Sequence, residues 1–181
     1  HAGPGYGGSC FPKDTLALIR ITQEHGVSSR IVESVVEVNA AQKARMVSKI
    51  RKALGGSESG KTIGVLGLAF KPETDDMRDA PALAILPALL DKGATVKAHD
   101  PQAMEEAKEL LSETMQYCSN TEEVFENADA IVLMTEWNEY RGLDLAQLKT
   151  KMKGTAFIDL RNVYEHDSMK SLGFEYSCVG R

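Results

Sequence analysis

Thr62-Ile63-Gly64-Val65-Leu66-Gly67-Leu68 is the stretch on which the fold turns. Its centre is short, continuous and apolar. A strand with no polar face suits a position covered on both sides, which is the condition of a parallel sheet. Ile131-Val132-Leu133-Met134 has the same character. Working outward from these two runs, strands are expected at 62–68, 95–99, 116–119, 130–135, 155–160 and 174–179. Helices are expected between them at 82–92, 103–112, 121–126 and 144–151. Such alternation implies an α/β fold: a Rossmann-like, doubly wound parallel sheet of about six strands.

Upstream, Ser57-Glu58-Ser59-Gly60-Lys61 is a polar break, a natural boundary. It divides the chain into 1–56 and 57–181. Before it, Ser28 or Ser29 can cap a long helix running through Ile31, Val32, Val35, Val36, Val38, Met46, Val47, Ile50 and Leu54 to Gly55-Gly56. At 1.5 Å per residue such a helix is long for a globular protein. Apolar residues around much of its circumference suit packing on several partners, or a core helix of one domain. A shorter helix is expected over 15–25, closed by Gly26 at the C′ position.

Composition sets further bounds. The 181 residues are 43% hydrophobic and 26% charged, ordinary values for a soluble globular chain. A net charge of −5 leaves no nucleic-acid-binding footprint. No apolar run is long enough for a membrane span, and no signal-peptide pattern is present. The 3 cysteines, Cys10, Cys118 and Cys178, are widely spaced and form no CxxC pair. They suggest neither a disulfide framework nor a zinc site, so no metal is expected, and a reducing cytoplasm is the simplest compartment. Cys118 and Cys178 fall in strands and read as core residues.

Cys10 reads differently. It lies in Gly5-Tyr6-Gly7-Gly8-Ser9-Cys10-Phe11-Pro12-Lys13-Asp14. The glycines permit φ > 0 and let a ligand approach without a Cβ in the way. Pro12 suits a helix start, which places Cys10 just before a helix N-terminus. There the dipole and Lys13 should favour the thiolate, making Cys10 a candidate nucleophile. The plain alternative is a small buried cysteine in a tight turn.

The decapeptide Gly5–Asp14 resembles the cysteine motif of the UDP-glucose/GDP-mannose dehydrogenase family. A second stretch, Ala69-Phe70-Lys71-Pro72-Glu73-Thr74-Asp75-Asp76-Met77-Arg78-Asp79-Ala80-Pro81, is similar to the family's second motif. Both Thr135–Tyr140 and Asp159–Asn162 also match, and the resemblance runs from Gly5 to Arg181. Its enzymes oxidise a sugar C6 alcohol to a carboxylate with two NAD+ and a cysteine-bound intermediate. The resemblance implies that Cys10 attacks the aldehyde and that Asp14 steers the hydrolytic water. It implies that Tyr6, Gly7, Phe70, Lys71 and Arg161 meet the UDP-sugar, and that Lys13 and Arg78 lie near NAD. It implies UDP-glucose and UDP-glucuronate as substrate and product, and a homodimer built on the long helix.

The residues carry their own alternatives. Lys71, Arg78 and a helix N-terminus suit a diphosphate, but Arg78 could equally pair with Asp75 or Asp76 on a charged surface loop. Asp14 is also an acid stabilised in a first helical turn. For Arg161 alone a surface salt bridge is the default, and for Trp137 simple packing. The turn after 62–68 is neither a P-loop nor a GxGxxG fingerprint. Asp100 either mimics a ribose-binding acid or, more simply, ends a strand and starts a helix. His25, His99 and His166 share no motif. Because the chain opens inside a functional loop, it reads as part of a longer protein whose NAD-binding domain would precede Gly5, and turnover by this part alone is not expected. A GDP-mannose 6-dehydrogenase is the nearest alternative substrate reading. A non-catalytic nucleotide-binding or dimerisation module is the alternative from another class.

Overall fold

The computed structural model describes residues 2–180. The outermost residues of the two expected units, His1 and Arg181, lie outside the described residues. Two helices, α1 (Phe11–Glu24) and α2 (Arg30–Ala53), precede the sheet. Then follow β1 (Thr62–Leu66), α3 (Ala82–Leu90), β2 (Thr95–His99), α4 (Met104–Leu110), β3 (Gln116–Tyr117) and α5 (Thr121–Phe125). The second half is β4 (Ala130–Leu133), α6 (Asn138–Arg141), α7 (Leu145–Lys149), β5 (Ala156–Asp159), α8 (His166–Ser171) and β6 (Glu175–Cys178).

The strands form one 6-stranded sheet in the order β3-β2-β1-β4-β5-β6. Every pairing is parallel, with Leu66 opposite both His99 and Leu133. Alternate residues of the apolar runs feed two cores. Val65, Val96, Val132 and Ile158 face Ile85, Leu86 and Leu89 of α3 and Met46 and Ile50 of α2. On the other face Leu66, Ile131, Leu133 and Phe157 meet Val124, Phe125, Tyr140, Leu148 and Met169. The centres of β1, β4 and β5 are therefore apolar because both faces are roofed, while Lys97, His99 and Asp159 are the buried polar exceptions in β2 and β5. At Gly64 a Cβ would lie 2.5 Å from Val124 O, so the close seat of α5 on β1 requires glycine there. Cys118 and Cys178 are buried, as expected for core residues.

Several local expectations shift. Helix α1 begins at Phe11 rather than residue 15, with Pro12 in its first turn and the Asp14 N–H bonded to Cys10 O at 2.8 Å. The Thr15 hydroxyl closes the same turn onto Phe11 O and Pro12 O. Ser29 precedes α2, but its side chain caps nothing; its hydroxyl instead accepts from Thr22 Oγ1 at 3.1 Å. Helices α6 and α8 have no counterpart among the expected helices. The polar break is real as a turn, yet α2 continues into the sheet's core through Met46 and Ile50. Across the break, the Arg51 guanidinium donates to both carboxylate oxygens of Glu58. Glu58 is buried, and this pair holds its carboxyl below the usual range.

Candidate functional site

In an open sheet of this strand order, ligands are taken at the carboxyl ends of the strands where the order reverses, here between β1 and β4. That crevice is already filled. Gly67 turns the chain at φ +90°, and a Cβ on it would sit 2.4 Å from Thr135 Cβ. The next two N–H groups, of Leu68 and Ala69, donate to Asp100 Oδ2 at 2.7 and 3.1 Å. Asp100 Oδ1 accepts from Gln102 N and Ala103 N at 3.0 and 2.9 Å, and Trp137 Nε1 donates to Oδ2 at 3.2 Å. Thr135 Oγ1 ties Ala69 O at 2.6 Å. Asp100 thus forms the turn that precedes α4 and also anchors the loop after β1, and Trp137 does more than pack. The backbone donors that would hold a dinucleotide pyrophosphate at this point are spent on a carboxylate. The crevice does not fit NAD.

The two motifs meet beside it. The Gly8 N–H donates to Arg78 O at 2.7 Å. A Cβ at Gly7 would stand 2.5 Å from Asp79 O, and one at Gly8 would stand 2.8 Å from the Phe70 ring. The side of these glycines on which a Cβ would stand is occupied by the neighbouring loop. The 70–79 loop is organised by Asp76, which accepts from Arg78 N and Nε at 2.9 Å and Nη2 at 2.8 Å. The charged-loop alternative for Arg78 is therefore present as a pair with Asp76. That bidentate contact holds the Asp76 carboxyl below its ordinary range.

Cys10 is exposed, immediately precedes α1, and has Ser9 Oγ 3.6 Å away. Arg78 is raised above its ordinary value chiefly by Asp76, with a further contribution from Cys10. Lys13 is raised chiefly by its contact with Asp14, again with Cys10 adding to it. The sulfur therefore lies within Coulomb range of both cations. Lys13 and Asp14 form an ion pair on the exposed side of the first turn of α1. Lys71 is exposed, its ammonium 5.4 Å from the Phe70 ring centroid.

Arg161 is not a surface arginine. Its side chain is only 16% exposed. It donates from Nε to Met134 O at 2.7 Å and from Nη2 to Phe70 O at 2.9 Å, so it stitches the loops after β1, β4 and β5. Its carboxylate neighbour is Glu136 Oε2 at 3.1 Å. Burial draws the guanidinium below its ordinary value, and Glu136 opposes this. The remaining Nη1 would contact a Cβ at Gly3 at 3.4 Å. There it borders a cavity of about 800 Å³, shared with Gly5, Tyr6, Asn39 and the apolar face of α2, within the size range of small-molecule sites. Neither Cys10, Phe70, Lys71 nor Arg78 lines this cavity. Two halves result: Cys10 with Lys13 and Arg78, both of which its charge influences, and Tyr6 with Arg161, which share the cavity. Phe70 joins the halves, touching Gly8 with its ring and Arg161 with its carbonyl. Sequence reasoning passed over Asn39, Gln42 and Lys43; no motif flags them, because their partners at Tyr6, Gly3 and Asp79 lie on other elements. Among the described residues no cluster of His, Cys, Asp and Glu could hold a metal. Nor is any described helix long and apolar enough to cross a membrane.

A parallel sheet whose nucleotide crevice is stoppered, with a cysteine loop docked on its rim, is the arrangement of one class of proteins. The chain belongs to the UDP-glucose/GDP-mannose dehydrogenase family: residues 64–166 match its UDP binding domain and residues 1–41 its central domain. Among its relatives, the UDP-glucose 6-dehydrogenase of Rhizobium meliloti (strain 1021) is 50% identical over 181 residues, 100% of this chain and 41% of that one. UDP-glucose 6-dehydrogenase TuaD of Bacillus subtilis (strain 168) is 43% identical over 180 residues, 99% of this chain and 39% of that one. A solved UDP-glucose dehydrogenase of Pyrobaculum islandicum superposes with a TM-score of 0.79 at 38% identity, covering 89% of this chain and 35% of that one. The chain thus spans about two fifths of the length of the curated relatives it matches.

Proposed function

We propose that this chain is the sugar-nucleotide-binding part, with its linking helix, of an NAD-dependent UDP-glucose 6-dehydrogenase acting in the cytoplasm. The observation that carries the reading is the exposed Cys10 thiol just before α1, in a glycine loop docked on the 70–79 loop through the Gly8 N–H to Arg78 O bond. Residues 1–56 supply the cysteine loop and the dimerisation helix, and residues 57–181 the UDP-sugar domain. UDP-glucose lies along Tyr6, Gly7, Phe70, Lys71 and Arg161, with the free edge of Arg161 turned into the cavity. NAD+ would supply hydride acceptance at the sugar C6, and the filled β1–β4 crevice is not where we place it. Lys13 and Arg78 are the cations here that would face its phosphates.

The chemistry of this chain's own residues follows from a thiol's dual nature as strong nucleophile and competent leaving group. The Cys10 thiolate adds to the C6 aldehyde carbon, forming a C–S bond and a thiohemiacetal. After oxidation to the thioester, water adds to the same carbon, the C–S bond breaks, and UDP-glucuronate leaves with the thiolate restored. Asp14, beside Lys13, takes the water's proton. Isothermal titration of the chain with UDP-glucose, GDP-mannose and NAD+ tests the reading. Binding of UDP-glucose at least about tenfold tighter than GDP-mannose, a preference of about 1.4 kcal/mol, is expected. Equal or tighter binding of GDP-mannose would transfer the assignment to that substrate. Failure of UDP-glucose to slow alkylation of Cys10 would remove the thiol from the site.

A further inference from the structure

One face of α2 holds both loops of the site. Asn39 Oδ1 accepts the Tyr6 N–H at 2.8 Å, and Asn39 Nδ2 donates to Tyr6 O at 3.2 Å. A single side-chain amide thus meets both backbone polar groups of one loop residue, as a neighbouring strand would. Gln42 Nε2 donates to Gly3 O at 2.8 Å, and Lys43 Nζ donates to Asp79 O at 3.1 Å. Positions 39, 42 and 43 lie on one side of a helix, at i, i+3 and i+4. Gly5 lets the loop close on that face, since a Cβ there would lie 2.8 Å from Asn39 Oδ1 and 3.1 Å from Lys43 Cγ. Lys43 is half-buried, and desolvation draws its ammonium below the ordinary value.

Tyr6 and Asn39 are also a partition. Both line the cavity of about 800 Å³ that holds Arg161. Both line a second cavity, of about 480 Å³, that reaches Lys43 and Asp79. The amide clamp decides where that wall stands.

We propose that Asn39 is a positioning residue for the sugar nucleotide: by fixing the Tyr6 backbone it sets the wall of the Arg161 cavity. This rests on the UDP-glucose reading above. The requirement is for an amide, one acceptor and one donor side by side. A carboxylate in its place keeps the acceptor for Tyr6 N–H but sets a second negative oxygen against Tyr6 O; protonation restores a donor there. UDP-glucose binding by the full chain is measured for wild type, Asn39→Asp and Asn39→Ala from pH 8 down to pH 5, with thermal midpoints alongside. Asn39→Ala should bind about tenfold more weakly than wild type throughout, the scale of a lost hydrogen-bond pair. Asn39→Asp should show the same deficit at pH 8, and its ratio to wild type should recover severalfold toward pH 5. Wild-type affinity in both variants overturns the proposal. A loss in Asn39→Asp that is independent of pH and merely tracks a lowered midpoint does so as well. If the wild-type chain binds no UDP-glucose at any pH, the functional reading has failed and takes the proposal with it.

Discussion

The sheet and the helical arm obey opposite rules of burial. In β4 and β5 every residue is buried, and Leu133, Phe157 and Ile158 are 0% exposed. In α1 only Pro12 is buried, and in α2 only Met46 and Ile50. The arm nonetheless carries exposed Phe11, Leu16, Leu18, Ile21, Ile31, Val35 and Val38. Single exposed apolar residues are unremarkable, but seven of them on two packed helices are more than a self-contained arm requires. The sheet region is self-sufficient, whereas the arm spends its apolar residues outward. That is the distribution expected if the long helix serves assembly, as proposed for a homodimer.

The comparison can be broken most directly at its extremes. Leu133→Ala should lower the unfolding free energy by about 3 kcal/mol, the cost of lost transfer plus a cavity. Val38→Ala, at a site 64% exposed, should change it by less than about 0.5 kcal/mol. Denaturant titration of both checks this, and similar losses at the two sites would erase the contrast. A smaller effect tests what the arm is for. Ile31 is 83% exposed near the start of α2, where an acid is welcome to the helix dipole. Ile31→Asp should therefore leave the monomer's stability intact while weakening self-association about tenfold, or about 1.4 kcal/mol. Light scattering across a dilution series measures it; a chain that is monomeric at every concentration would leave α2 without an assembly role.

The smallest effect concerns the sheet. His99 is buried, its Nδ1 3.2 Å from the Tyr140 hydroxyl, which donates to His99 O at 2.9 Å. Since that hydroxyl hydrogen is committed to the carbonyl, Nδ1 carries the imidazole proton and donates to the hydroxyl oxygen. Desolvation holds the ring below its ordinary value, while Glu139, Asp100 and Glu123 oppose the shift. The folded pKa is depressed, so the unfolded chain protonates first as pH falls. The stability contributed by neutral His99 is complete well above about pH 6.5 and drains away below it. His99→Gln should flatten the fall in thermal midpoint between pH 7 and 5 relative to wild type. Parallel slopes for the two proteins would count against it.

What the sequence made legible follows the same division. The central strands β1 and β4 could be read because two-sided burial leaves them short, continuous apolar runs, a local signature. The start of α1 was set four residues late because the apolar pattern begins at Leu16, while Pro12 and the Thr15 hydroxyl had already fixed the first turn. The glycine loop could be located but not explained. The side of Gly7 and Gly8 on which a Cβ would stand is taken by Asp79 O and the Phe70 ring, which belong to a distant loop. The local turn made by Asp100 ahead of α4 was legible, because Gln102 and Ala103 are its neighbours in the chain. Its bonds to Leu68 and Ala69 cross more than thirty residues, a distance no local pattern spans. Arg161 looked like a surface residue for the same reason, since its partners at Met134 and Phe70 belong to other strands' loops.

Asp100 has one more consequence. A loop that gathers around a bound phosphate must be ordered when the ligand arrives, and affinity is diminished by the entropy this removes. Here the turn after β1 carries a resident counter-charge and stands finished before anything binds. Its shape should be the same in the empty and occupied protein, which leaves nucleotide concentration with no leverage over this corner of the fold.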